Sequence, residues 1–585
     1  MTNKLKNVNN HPSGTRILLV LPFVILTIVP IFVDSNGLPK LFALVLGVLF
    51  LVTFTTNYLS FKDGSAYLPL ALLMPYMISQ IINPNNIDKF LIGSPGRNGG
   101  FIAWFSLSIL FLYFVKLYRA NVFEFSKILR ITYLFFLAIG LLQYFEWLPW
   151  KQSMEFNGLS ITLGNPNFAS AMLAIMCSAH VVLLLYGHSK RKLASFFVLG
   201  IAIFELWQTK SLQGGLVVAV NIFVISLVRF RESIRVFIRR KSYVAFVLLS
   251  IVLASFLFNR FLLDWFIANG SVRQRLAYWK LSLEIFRDNF WFGVGIDNLR
   301  SKVLEYRSLD LVKQEGIFTI PDRTHNVLLD HLVNGGIFAG IIWLIFITSI
   351  TFFAVKLIWK VNDREKKREA LFLVVIWMGY LVQSLISVDH LALTLIGYIS
   401  AAGIFALREN STPQDKSILK TNFGVLKSGI VATLSSFLIY LALFTASEVN
   451  AFKIIYGNNL QPVQSVLDNR WIQAQTLEDV AVHISQAKQF ELANQFADKI
   501  LESSPKSHQA FYMKSVYQES LGNNLKGRDW MLEAHKVDPL NPVYLLSLAI
   551  YEYKLGNLDM ARMYVEKTEE IDPNQKALIQ VKNLL

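Results

Sequence analysis

Pro321-Asp322-Arg323-Thr324-His325-Asn326 runs directly into VLLDHLVNGGIFAGIIWLIFITSITFFAV, residues 327–355. A helix needs about 20 predominantly apolar residues to cross a hydrocarbon core. The stretch therefore predicts a membrane span that opens on a charged, histidine-bearing turn. The same pattern recurs on both sides, giving about 13 candidate spans before residue 446. They fall near 17–33, 41–58, 66–82, 101–118, 128–149, 167–187, 193–208, 214–228, 242–258, 326–355, 370–387, 391–407 and 428–446. Composition agrees: 54% hydrophobic and 16% charged residues, with a mean hydropathy of +0.44, exclude every soluble class for a chain of 585 residues. The expected fold is all-α, a polytopic membrane helix bundle.

The formal net charge of +16 does not point to nucleic acid, because the cations lie in short clusters between apolar runs and not on one soluble face. They gather in Lys116–Lys127, His188–Lys192, Arg229–Lys241, Lys356–Glu369 and Arg408–Lys427, whereas the alternate short loops carry only Lys40, Lys89, Arg97, Lys151 and Lys210. By the positive-inside rule the first set is cytoplasmic, and so is the N-terminus. Ile17–Val33 lacks a small-residue cleavage site and is followed by further spans, so it reads as a span and not a signal peptide. Two large regions are expected outside: a loop over residues 259–324 and everything after Ser447. The single cysteine, Cys177, rules out a disulfide scaffold or a thiolate metal cage and reads as packing.

Beyond residue 447 the chain turns polar. LESSP ends at Pro505, KVDP at Pro539 and EIDP at Pro573, and Leu-Gly-Asn recurs at 521–523 and 555–557. The period is about 34 residues, that of tetratricopeptide repeats. Ala493 and Ala561 fill positions where paired helices approach closely. We expect a membrane domain over 1–447, a linker over 448–473 and a repeat solenoid over 474–585, able to take a protein partner on its concave face.

Charged and imidazole groups at the mouth of a bundle are costly unless hydrated or paired, so each suggests a function. His325 would sit at the membrane surface as a neutral imidazole able to take a proton from a hydroxyl nucleophile; the alternative is an interfacial histidine bonded to loop backbone. In Ser271-Val272-Arg273-Gln274-Arg275-Leu276-Ala277-Tyr278-Trp279, Ser271 reads as an N-cap, with Arg273 and Arg275 in the first helical turn. Cations face the wrong end of a helix dipole there, and a bound phosphate or pyrophosphate would reverse that; otherwise they snorkel beside the membrane. In GLSITLGNPNFASA, residues 158–171, Asn165 and Asn167 present amides in an outward turn, or simply build it. Arg97 in GSPGRNGG and Lys210 in QTKSLQGG are scarce outward cations that would suit an anion. Asp389-His390 is a further outward acid and imidazole that would either orient His325 or cap a helix. No Asp-x-Asp pair occurs in the sequence, and no catalytic metal or cofactor is expected.

His325-Asn326 followed by an apolar helix with Gly336, after a large outward loop, resembles the C-terminal signature of the O-antigen ligase and polymerase superfamily. The resemblance covers about 260–350 and adds GNPNFASA and LAYWKLSLEIFRDNFWFGVGIDN, with its Gly293-x-Gly295 turn. Two departures stand out. Ala339, followed by Gly340, stands where the family commonly has a second glycine, and Ser211-Leu212-Gln213 stands where many members carry Ser-Arg; Lys210 would supply the missing charge.

The resemblance implies a metal-independent, inverting membrane glycosyltransferase of the C-type fold class, acting on the outer face of a bacterial inner membrane. Its donor would be a polyprenyl-pyrophosphate-linked glycan and its acceptor a hydroxyl on lipopolysaccharide core, a growing polysaccharide or protein. His325 and Arg275 become the expected catalytic residues, and Arg273, Asn326, Arg97, Lys210, Asn165 and Asn167 the expected substrate-binding ones. A glycolipid transporter or flippase is the alternative of another class.

Overall fold

Long apolar runs without period-two alternation dictate helices, and every regular element among the described residues is helical. The structure, a computed structural model, describes residues 20–54, 64–84, 86–119, 125–148, 158–187, 189–231, 270–316, 319–408 and 423–584. The predicted ninth span, 242–258, and Lys151 lie outside them.

In chain order the helices are α1 Leu21–Leu26, α2 Leu38–Phe54, α3 Gly64–Ile82, α4 Ile87–Ile92, α5 Phe101–Arg119, α6 Phe125–Tyr144, α7 Pro166–Tyr186, α8 Ser189–Gln208, α9 Leu212–Arg229 and α10 Gly270–Asp288. There follow α11 Leu299–Tyr306, α12 Leu309–Glu315, α13 Val327–Lys360, α14 Arg364–Ile386, α15 Leu391–Leu407, α16 Phe423–Ile455 and α17 Val463–Asp468. Next come α18 Ala474–Gln486, α19 Phe490–Ser503, α20 His508–Ser520, α21 Asn524–Val537, α22 Pro542–Lys554, α23 Leu558–Ile571 and α24 Lys576–Lys582.

Eight of these are long and apolar enough to cross a membrane, and α2 and α15 are shorter apolar helices. The chain is thus a multi-pass helical membrane protein. α7 is the hub: it packs against α8, α9 and α14, and 83% of its most apolar window is buried, against 22% for peripheral α16. The predicted first span does not form one helix among its described residues. α1 ends at Leu26, ahead of Pro30, whose ring and missing N–H are incompatible with continuation.

The predicted tenth span is broken. α13 carries a non-helical residue at Gly336, with φ 70° and ψ −167°. In a straight helix residues eight apart lie about 12 Å from each other. Here the Leu332 Cα lies 3.8 Å from where a Gly340 side chain would begin, so the two halves fold back at an acute angle. The turn after α10 fills the break: Ile337 N–H donates to Phe290 O (2.9 Å), Val294 N–H to Val333 O (2.8 Å) and Gly295 N–H to Asn334 O (3.0 Å). Irregular backbone at membrane depth survives only when its polar groups are met in this way. A side chain on Gly336 would begin 2.2 Å from Trp291 O, so glycine is required on both counts. The crossing segment therefore starts at Ile337, and residues 327–335 form a separate short helix leading to the site.

After the bundle, helices start at 474, 508 and 542 and again at 490, 524 and 558, giving three successive helix pairs. The stretch predicted as a linker is packed instead. α16 runs unbroken through residue 447, and Val463, Val466 and Ile472 are buried in the core of the first pair. The pairs also clasp the large loop. Arg307 and Asp538 form an ion pair with both side chains only 2% exposed, and Val312 of α12 joins the core of the later pairs.

Candidate active site at the mouth of the bundle

Loops from five parts of the chain converge where the repeats meet the bundle. The loop GSPGRNGG (93–100) and the short helix α4 that leads into it are tied to the C-terminal region, with Asn86 Nδ2 donating to Ser503 O at 3.3 Å and Gln473 Nε2 to Gly93 O at 2.9 Å. From this loop Arg97 reaches Asp322 through two parallel bonds, Nε to Oδ2 at 2.6 Å and Nη2 to Oδ1 at 3.2 Å. The neighbouring Arg323 is buried and ion-paired with buried Asp297, whose other oxygen accepts from Ser94 N–H at 2.8 Å. Arg323 passes so close to Gly99 that a side chain there would begin 2.6 Å from its Nη2.

Two arginines thus sit among four carboxylates, since Asp330 and Asp389 also act on Arg323. Burial would lower the Arg323 pKa, but Asp297 and the other carboxylates outweigh it and raise it. Burial likewise opposes charge on Asp322, and Arg97, Arg323 and His325 overcome it, holding the carboxyl well below its usual range. Burial pushes Asp389 up to about 6. Buried charges of this kind persist only when paired.

His325 follows this pair. Its ring lies 5.6 Å from that of Tyr278 of α10, and its Nδ1 is buried with no hydrogen-bond partner. Its φ is +58°, a left-handed conformation uncommon outside glycine, and Asp297 (+55°) and Asn98 (+49°) share it. Such strain concentrates at functional sites. Burial, reinforced by the charges of Arg97 and Arg275, lowers the His325 pKa to about 4, with Asp322 working in the opposite direction. The imidazole is therefore neutral at physiological pH and within electrostatic reach of both arginines.

The structure sorts the sequence-predicted residues. His325, Arg97 and Arg275 come together. Arg273 does not: it lies exposed on α10, away from the face that carries Tyr278. α10 already includes Gly270, so Ser271 is inside the helix and is not its cap.

Asn326 is the N-cap of α13, its Oδ1 accepting from Leu329 N–H at 3.2 Å and its Nδ2 donating to Leu385 O at 2.9 Å. Its amide is occupied by structure. Asn165 caps α7 through Asn167 N–H (2.8 Å), and Asn167 Oδ1 accepts from Ser211 Oγ (2.7 Å), tying the 158–171 turn to the start of α9. Lys210 stands exposed in that turn at φ +54°. His390 caps α15 through Ala392 N–H (3.2 Å) and packs on Phe168 with ring centroids 4.8 Å apart, the capping alternative.

Sequence reasoning missed Arg323, Asp297 and Tyr278 as parts of the site. Arg323 lies within the motif, but its buried partner is 26 positions upstream, between α10 and α11. No group of three or more metal-ligating side chains occurs among the described residues.

A histidine and two ion-paired guanidiniums thus gather at one end of a multi-pass helical membrane protein. Residues 207–344 match the family model described as O-antigen ligase, the superfamily whose signature the sequence resembles. The match spans α9, α10 and His325 through the folded-back helix. No curated protein matches the chain.

Proposed function

We propose that this chain transfers a glycan from a polyprenyl pyrophosphate donor to an acceptor hydroxyl at the outer face of a bacterial inner membrane. The acceptor O–H gives its proton to His325, the acceptor oxygen bonds to the anomeric carbon, and the bond from that carbon to the pyrophosphate oxygen breaks. Attack opposite the leaving group inverts configuration. Arg275 and Arg97, which both act on His325, receive the departing lipid pyrophosphate. Preorganised cations in a partly dry site can supply this stabilisation without a metal.

One observation carries the reading: a partly buried imidazole, its Nδ1 buried and unpartnered, lies within charge reach of Arg97 and Arg275. The low proton affinity of His325 stems from burial and then from those guanidiniums, and an incoming pyrophosphate offsets their charge and restores basicity. The outward orientation rests on the distribution of loop cations in the sequence. The helix pairs are read as tetratricopeptide repeats that bring a protein partner or acceptor to the same end.

Lipopolysaccharide ligation is the leading reaction, with polysaccharide polymerisation and protein glycosylation as variants of the same chemistry. A transporter reading lacks support, because no second copy of the site motif occurs in the sequence. Purified protein in detergent, given donor and acceptor with no membrane to cross, should form glycosylated product. Absence of product there, with lipid translocation in proteoliposomes, would favour the transporter.

A further inference from the structure

α10 has two faces. Tyr278, Leu281 and Ile285 turn inward, the last two onto Val294, Leu299, Val303 and Val333. The outer ridge is divided lengthwise. Leu276 (46% exposed) and Leu283 (50% exposed) form one flank, while Arg273, Lys280 and Arg287, spaced every seven residues, form the other. Such a split between apolar residues and cations characterises helices lying in a membrane interface.

α10 is held at its middle and just past its end. At its middle, Tyr278 meets His325, whose neighbour Asn326 bonds Leu385 O at the end of α14. Past its end, Phe290 O accepts from Ile337, where the crossing half of α13 begins, and Gly293 O accepts from Asn83 Nδ2, just beyond α3, at 2.7 Å. From Tyr278 onward the helix therefore lies across the ends of three spans instead of standing away from them. Its apolar flank continues through Trp291, which is 60% exposed and lies 6.1 Å, ring to ring, from Phe338. Phe338 and Ile341, each 45% exposed, belong to the outer surface of that crossing half, which a bilayer covers.

We infer that α10 lies in the headgroup plane of the adjoining leaflet, with Leu276, Leu283 and Trp291 embedded in its hydrocarbon and Arg273, Lys280 and Arg287 among the headgroups. Resting on the proposed function, this brings the helix that carries Arg275 to the level of the lipid headgroups, so that the anionic donor headgroup arrives sideways from the leaflet. The depth of the helix itself is measured without any transfer reaction, so the two readings fail separately.

The test uses full-length protein carrying Cys177→Ser, reconstituted in phosphatidylcholine–phosphatidylglycerol vesicles. Nitroxide labels are placed one at a time on L276C, L283C, R273C and K280C. Labels at 276 and 283 should relax faster with oxygen than with a water-soluble nickel complex, and labels at 273 and 280 should show the reverse. Quenching of tryptophan fluorescence by lipids brominated near the headgroup should fall in Trp291→Phe, a check that needs no cysteine variant. Nickel-dominated relaxation at 276 and 283, or inaccessibility of both to either reagent because protein covers them, would overturn the inference, as would unchanged quenching in Trp291→Phe.

Discussion

The guanidinium of Arg97 holds the Asp322 carboxylate in a two-bond fork, at 2.6 and 3.2 Å, three residues ahead of His325. This couples the glycine-rich loop to the turn that presents the imidazole. Removing either partner leaves the other charge half-buried and uncompensated, whereas removing both does not. Arg97→Ala and Asp322→Ala should each lower kcat/KM by at least about tenfold, equivalent to roughly 1.4 kcal/mol. The double variant should be little worse than either alone. Additive losses in a double-mutant cycle would show that the two act independently.

Gly336→Ala should lower stability by about 2 kcal/mol or more, because the added carbon meets Trp291 O and the residue sits at φ 70°. Gly215→Ala is the control. Nothing lies within 4 Å of its new side chain, so it should be neutral or slightly stabilising. Thermal midpoints in detergent compare the two.

The hydropathy of the tenth span is continuous across Gly336, so the fold-back was not legible in the sequence. What breaks the helix is a turn formed more than forty positions earlier, and periodicity cannot report a partner at that distance. His325, Arg97 and Arg275 were legible because cations and imidazoles are scarce among the outward loops and each has to be accounted for. Arg323 and Asp297 were not, since their pairing joins two loops that only the bundle brings together. Asn326 and Asn165 have a structural role with a local cause: Asn immediately before an apolar helix is itself a capping signal, and in both places the side-chain oxygen accepts a backbone N–H of the helix.

Breaking the Arg307–Asp538 pair should loosen the repeats from the segment between α11 and α12. Loss of one partner of a buried pair costs about 3–5 kcal/mol, and replacing both by leucine costs less. Limited proteolysis should release a C-terminal fragment faster from Asp538→Ala than from Arg307→Leu/Asp538→Leu. Equal rates in the wild type and both variants would mean that the pair does not hold the repeats in place.

Acidification supplies a check on the burial of His325. Its folded pKa is lowered from 6.5 to about 4, so the unfolded chain binds the proton first. The stability associated with the neutral, buried ring is present above pH 6.5 and is lost as pH falls towards 4. Asp322, held low, adds a loss that begins below its ordinary range. His325→Gln should therefore flatten the decline in thermal midpoint between pH 6.5 and 4 relative to the wild type. Parallel curves would place the ring in water.

Transfer by purified His325→Ala, measured beside the wild type with a polyprenyl-pyrophosphate glycan and a hydroxyl acceptor, bears most directly on the proposed chemistry. Loss of the positioned base should reduce the rate by about 10²–10⁴-fold while abundance, detergent elution and thermal midpoint at neutral pH stay close to the wild type. A stable variant that turns over at the wild-type rate would contradict the role assigned to His325.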